Sequence, residues 1–340
     1  MPPFSVPEEG GNSRRGFRLM PAIVQFIVQR LAAALLTLVG AILLLFVIIQ
    51  FVPGDLASIL LGPRATPELR AQFAERMGLD RSIPEQIWLF FRRAVSGDLG
   101  TDVVTGRDIL SIILDVLPNT LQLAGAGLLI SLAFGIALGC IAALKPGSLL
   151  DTVLGVASVA FITTPAFVVA IFLLLIFSLK LHWLPVTGAG DSGDLLDRLS
   201  HLILPAVALS IGWIGYLARL VRASLLEVLS EQHIRMMRAY GVPEGRIVRH
   251  FALRLALVPM VAVMGIGVGD MISNAVFVEI IFARPGIGTL IYNAILNRNF
   301  PIVQAGILFT VLTYVTCNLL VDVINALLDP RIARSLNKPA

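Results

Sequence analysis

Residues 121–144 read LQLAGAGLLISLAFGIALGCIAAL, a run without a single charge. Lipid offers no water to an exposed backbone, so about 20 apolar residues in a row are stable there only as a spanning helix. Five further stretches read the same way: Leu31–Ile49, Val153–Leu179, Leu202–Ala218, Leu255–Val278 and Ile302–Val321. All are uncharged except the fifth in chain order, which holds Asp270. Composition agrees. Of 340 residues, 57% are AVILMFWYC and 14% are charged, where a soluble domain carries about 25% charge. So few charges cannot cover a water-facing surface, which excludes a soluble enzyme, a disordered chain and a collagen-like one. Cys140 and Cys317 both lie inside apolar runs and give neither a disulfide framework nor a zinc spacing.

Six spans place both termini on one side, and Lys/Arg placement selects it. With the N-terminus cytoplasmic, the inside segments carry fifteen basic residues, against four (Lys180, Arg198, Arg284 and Arg298) in the two short outside loops. The expected fold is an all-α integral membrane bundle of six transmembrane helices with a larger periplasmic loop between helices 1 and 2. The expected divisions are a disordered tail over 1–22, the first span over 23–52, and a periplasmic loop with short helices over 53–117. Helices 2 to 6 follow in a core over 118–330, and a cytoplasmic tail over 331–340 ends the chain. One short helix, Glu85–Val95, has apolar Ile87 to Phe91 ahead of Arg92 and Arg93. It is too short to span and reads as interfacial or packed.

Catalytic signatures are sparse. None of the three lysines follows a glycine, so the chain has no P-loop, and His182, His201, His233 and His250 lack zinc-ligand spacing. Gly267-Val268-Gly269-Asp270 is similar to the motif of intramembrane aspartyl proteases, with Asp322 as a second carboxylate. That family pairs its motif with a Tyr-Asp, and no aspartate follows any tyrosine here. An intramembrane protease and a stand-alone secondary transporter are nevertheless the alternatives to weigh. Charge at mid-bilayer is costly, so Asp270 must face protein or a water-filled path, and the sequence names no partner for it. Asn318, Asp322 and Asn325 share one face of the last helix. Asp270, Asn274, Asn318 and Asp322 are therefore candidates for the lining of a translocation path. The competing reading is hydrogen bonding that holds helices together, and it is the better one for Asp322, close to an interface.

The longest inside segment carries the strongest signal. Residues 222–259 read RASLLEVLSEQHIRMMRAYGVPEGRIVRHFALRLALVP. Leu225, Leu226, Leu229, Ile234 and Met237 recur at roughly helical spacing up to Gly241-Val242-Pro243, where glycine permits a sharp turn and proline starts a helix. The spacing predicts a helix–turn–helix elbow, its second helix running from about Glu244 into the fifth span. An amphipathic connector resting on anionic headgroups has the same pattern; a docking element for a cytoplasmic partner is the functional alternative.

Here the chain resembles the permease subunit of bacterial ABC importers of the dipeptide/oligopeptide/nickel group, in the dipeptide permease B branch. Gly241 and Pro259 keep that family's eighteen-residue spacing, with Arg238-Ala239 before the glycine and Arg249-His250 after it. Also matching, in order, are Val52-Pro53-Gly54-Asp55, Gly97-Asp98-Leu99-Gly100, Arg222-Ala223-Ser224-Leu225, Glu279, Pro285-Gly286-Ile287-Gly288 and Asp329-Pro330-Arg331-Ile332. Three positions depart: Tyr240 stands for a usual lysine, Leu56 for a proline, and Asp270 for a small or polar residue. The resemblance implies a type I ABC importer permease of the inner membrane, not itself an enzyme. It would work with a second homologous permease, two ATPase subunits and a periplasmic substrate-binding protein. Membrane lipid surrounds it, and nucleic acid is no partner. No cofactor is expected in this chain, since ATP and Mg would be bound by the ATPase subunits. The coupling segment would lie within 222–254, with His233, Met236, Met237, Arg238, Ala239, Tyr240, Gly241, Val242 and Pro243 facing the ATPase. Short peptides are the favoured cargo, with nickel chelates, glutathione and opines on the same architecture.

Overall fold

The computed structural model describes residues 19–50, 66–68, 81–102, 104–191 and 193–328. The tail expected over 331–340, nearly all of that over 1–22, and the motifs at 52–56 and 329–332 lie outside them. Among the described residues the regular secondary structure is helical, with one isolated bridge, Thr101 with Asp108. Five helices among the described residues are long and apolar enough to cross a membrane, and a sixth candidate span is a bent pair.

The first span is part of α1, Leu19–Gln50. Helix α2, Ile83–Ser96, begins with a capping box between Ser82 and Glu85 and ends at Gly97, whose φ of 77° closes the last turn. It packs rather than floats: Ile87, Phe90, Phe91 and Ala94 lie against Ile42 and Phe46 of α1 and Leu308 of the last helix. The second span sits in α3, Ile109–Leu144, capped by Asp108, which accepts from the Ser111 amide.

The third span is not one straight helix. Helix α4, Leu149–Thr163, and α5, Ala166–Leu173, which runs on through a wider turn at Leu174–Lys180, meet at 102°. Pro165 causes the break, because it cannot donate a backbone hydrogen bond and drives the preceding residue out of the helical region. Thr164 accordingly sits at φ −88°, ψ 118°.

The fourth span continues three turns past the expected Ala218, as α6, Leu195–Ser230. A short α7, Gln232–Ala239, and α8, from Glu244 to Ala256 with a wider turn over Ile247–Ala252, form the elbow. The second elbow helix does not run unbroken into the fifth span as expected. It stops at Leu257, and α9, Val258–Ile281, restarts with Pro259 in its first turn. Helix α10, Ile287–Leu296, and the last described span, α11, Phe300–Leu328, follow.

Small residues bring the central helices together. Along α3, Gly127, Ser131, Gly135 and Gly139 recur every fourth residue, the spacing that lets two membrane helices approach backbone to backbone. A Cβ on Gly139 would fall 2.7 Å from the Ala218 carbonyl of α6, and one on Gly135 would fall 2.7 Å from Leu217 Cβ. Ser131 Oγ donates across the same seam to the Ser210 carbonyl (3.2 Å). On its other side α6 meets α4, where a Cβ on Gly215 would lie 2.6 Å from the Ser158 carbonyl.

Candidate functional site

The elbow is held from above and faces outward. Ile234 of α7 is fully buried among Leu225, Val228, Ile247 and Ala256, so one turn of α7 is anchored to both neighbouring helices. Arg238 grips Glu244 across the turn (Nε–Oε2 3.0 Å, Nη2–Oε1 2.6 Å) and also donates to the Leu229 carbonyl (3.2 Å). The guanidinium holds the Glu244 carboxyl below its ordinary range, and the carboxylate raises Arg238 in turn. His233 Nδ1 lies 2.9 Å from Glu231 Oε2 at the start of α7.

Gly241 closes the helix with φ 77°, its amide donating to the Arg238 carbonyl and the Val242 amide to the Met237 carbonyl. A Cβ there would meet nothing within 4 Å, so glycine is needed for the backbone conformation, and the space beside it is open. Of the apolar residues predicted to face a partner, Met236 (59% exposed) and Tyr240 (81%) point outward. Met237 and Val242 do not: both are half-buried against the Ile234 cluster. The spacing reads Met236, Met237 and Tyr240 as one patch, whereas i and i+1 on a helix look in different directions. Ala239 and Pro243 are exposed.

A second clamp sits beside the elbow. Asp151, nearly buried at the start of α4, takes two bonds from Arg222 of α6 (2.5 and 2.7 Å) and one from the Gly147 amide (2.9 Å). The α3–α4 turn is thereby tied to the helix that carries α7. Arg222 is legible as a family motif, but its partner is 71 residues away and no local pattern points to it.

The four path candidates separate. Asp270 Oδ2 accepts from Trp213 Nε1 of α6 at 2.8 Å, and Asn274 Nδ2 donates to the Asp270 carbonyl at 3.0 Å. The neighbouring glycines explain how α9 fits. A Cβ on Gly267 would crowd the Trp213 ring at 3.1 Å, one on Gly269 would strike Tyr314 of α11 at 2.1 Å, and one on Gly265 would lie 3.3 Å from Asn318 Oδ1. The Gly-x-Gly-Asp stretch is thus a packing seam. Asp322 pairs with Arg30 of α1 (3.1 Å), away from Asp270's partner. The side chain of Asn325 lies outside the described set.

The end opposite the elbow holds a buried cluster to which the sequence assigns no role. Glu279, inaccessible to solvent, accepts from Thr120 Oγ1 of α3 (2.6 Å) and from the amides of Gly288 (2.9 Å) and Thr289 (3.3 Å) at the start of α10. Thr120 Oγ1 in turn accepts from the Ile287 amide (2.9 Å). One carboxylate therefore caps α10 and fastens it to α9 and α3. Arg284, also buried, lies within the electrostatic reach of Glu279; burial lowers its pKa and the Glu279 charge opposes that. Nearby, Asp102 accepts from Asn299 (2.5 Å), the Thr105 hydroxyl and the Thr105 amide, which fixes the 99–108 loop to the α10–α11 connection. Among the described residues, no group of three or more His, Cys, Asp or Glu could hold a metal ion.

Comparison with known proteins gives this arrangement a context. Residues 135–334 match the family model "Binding-protein-dependent transport system inner membrane component", and residues 23–124 match the model of that family's N-terminal segment. The di/tripeptide transport system permease protein DppB of Pseudomonas aeruginosa is 35% identical, over 91% of this chain and 99% of the relative. The glutathione transport system permease protein GsiC of Escherichia coli K12 is 33% identical over the same shares. A chain of the MetNI methionine ABC transporter, solved in inward-facing form, overlaps 67% of this chain and 98% of its own length at TM-score 0.48 and 18% identity. With a family model matching more than half its length, this chain belongs to the binding-protein-dependent transport system inner membrane components, the permease subunits of ABC importers.

Proposed function

We propose that this permease subunit pairs with a second homologous permease and imports short peptides or glutathione across the bacterial inner membrane. Two ATPase subunits, which bind the ATP and Mg, drive it, and a periplasmic binding protein delivers the cargo. The elbow then lies in the cytoplasm with both termini, as the fifteen-to-four distribution of basic residues supports. Cargo follows from the relatives' names, which are those of peptide and glutathione permeases.

The observation that carries the mechanism is the asymmetry of α7. Its inner face is locked by Ile234 and its C-terminal turn is tied by the exposed Arg238–Glu244 pair, while Met236 and Tyr240 stand free beside open space at Gly241. A helix meant only to rest on headgroups has no need of such a rigid seat. One built to receive force from a partner does, because a push on a fixed elbow is delivered to α6 and α9 and not lost in the loop. Methionine and tyrosine suit a protein interface, the one adaptable and the other large and amphipathic. Alternating access then proceeds as closure of the ATPases moves the elbows and rocks the bundle.

The test is site-directed cross-linking in membranes. A cysteine at Met236 or Tyr240, in a background lacking Cys140 and Cys317, should join to a cysteine on the ATPase subunit, and the yield should change when ATP is added. A cysteine at Met237 should join far less. Equal yields at 236 and 237, or none at any position, would contradict the docking assignment.

A further inference from the structure

Asp270 has no business on a lipid-facing surface. It is the thirteenth of the twenty-four residues of α9, about 18 Å along the helix from its start at 1.5 Å per residue, and it is exposed in this chain. A carboxylate at that depth must meet water or protein. Trp213 supplies one hydrogen bond, to Oδ2; among the described residues, none reaches Oδ1. The indole is not free to turn away. It is pressed on the Gly267 face of α9 and sits edge-on to Tyr216, ring centroids 5.3 Å apart. Asn274, one turn further on, gives one amide N–H to the Asp270 carbonyl, and no described residue donates to its Oδ1.

The group thus offers a free carboxylate oxygen, Asp270 Oδ1, and an amide oxygen one turn away, beside an aromatic pair. That is an acceptor-rich site for a cation. An ammonium brings three N–H donors and no acceptor. We propose that Asp270, Asn274 and the Trp213–Tyr216 pair form a mid-membrane subsite that binds the ammonium group of the transported substrate. This rests on the peptide reading given above and sharpens it: di- and tripeptides and glutathione all carry a free ammonium, so one carboxylate serves both. The tryptophan orients the carboxylate, and the charge on Asp270 is the recognition element.

The test is equilibrium binding of radiolabelled L-alanyl-L-alanine to the assembled transporter in nanodiscs, without the binding protein, alongside its N-acetyl derivative. Wild type should bind the free dipeptide at least about tenfold more tightly than the acetylated one, the range of a charge-assisted hydrogen bond. Asp270→Asn should lose about that factor for the free dipeptide and no longer discriminate, while Asp270→Glu should keep most of the preference. If Asp270→Asn binds both ligands as wild type does, the subsite falls although peptide carriage stands. If the variant instead sheds the second permease, the carboxylate serves a basic group of that partner and the subsite falls too. Should wild type neither bind nor import either dipeptide, the peptide reading fails and the subsite with it.

Discussion

Replacing Glu279 by alanine removes the centre of the buried cluster opposite the elbow. Three donors, the Thr120 hydroxyl and the amides of Gly288 and Thr289, lose their acceptor in a place water does not reach. The buried Arg284 loses the negative charge that offsets its own. An uncompensated buried charge costs about 3–5 kcal/mol and each stranded donor about 1–3 kcal/mol. Relaxation will recover part of this, so a net loss of about 3 kcal/mol is the expectation. At about 2–4 °C per kcal/mol, the range for domains of about 150–250 residues and an upper bound for a longer chain, the melting midpoint of the purified assembly should fall by up to about 6–12 °C. The assay is size-exclusion chromatography of the detergent-solubilised complex after heating. Removing both charges, as Glu279→Ala with Arg284→Leu, should restore part of the loss, because the orphaned cation goes as well. Gly286→Ala should mimic the single variant, since its Cβ would lie 2.1 Å from Glu279 Oε1. A Glu279→Ala protein that melts within about 2 °C of wild type, or a double variant worse than the single one, would refute the reasoning.

The Asp151–Arg222 clamp depends on two parallel bonds, so Arg222→Lys, which keeps the charge and loses the fork, should lower the melting midpoint nearly as much as Asp151→Asn in the same assay; an Arg222→Lys protein melting like wild type would show that charge alone suffices. Asp102 gives a pH signature. Burial works to raise its pKa, but the bonds from Thr105, Asn299 and the Val104 and Thr105 amides outweigh it and leave the carboxyl below its usual range. A depressed folded pKa stabilises above the unfolded value and is lost as pH falls through the folded one. The melting difference between wild type and Asp102→Asn should therefore be constant from pH 7 to about 5 and shrink below about 4; a difference that grows with acid would contradict the assignment.

Much of the architecture is legible because lipid enforces it. Long uncharged runs have few structural options, so five of the six spans stand within or close to the stretches the sequence marks. The third does not stay straight, because Pro165 overrides an uninterrupted apolar run. The elbow is legible too, as Gly241 and Pro243 punctuate a periodic pattern. What the sequence withholds is pairing across distance. Glu279 with Thr120, Asp151 with Arg222 and Asp270 with Trp213 are separated by 159, 71 and 57 positions, and nothing local joins them. Met237 is misread for a different cause: its apolarity fits either side of α7, and only the seat made by Ile234 decides which. The four-residue recurrence from Gly127 to Gly139 is present in the sequence, and the close approach of α3 to α6 is what gives it meaning.

The central claim is that the elbow passes the ATPase's work to the membrane helices. Gly241→Asp probes it, because the variant strains a backbone at φ 77° and puts a charge into the open space beside Met236 and Tyr240. The measurement is ATP hydrolysis and substrate uptake in the same proteoliposomes, with Gly241→Ala as the milder comparison. The variant complex should insert and pair normally, yet either lose the ATPase or hydrolyse ATP with uptake cut at least about tenfold, the alanine variant falling between it and wild type. Wild-type uptake and hydrolysis in Gly241→Asp would contradict the account.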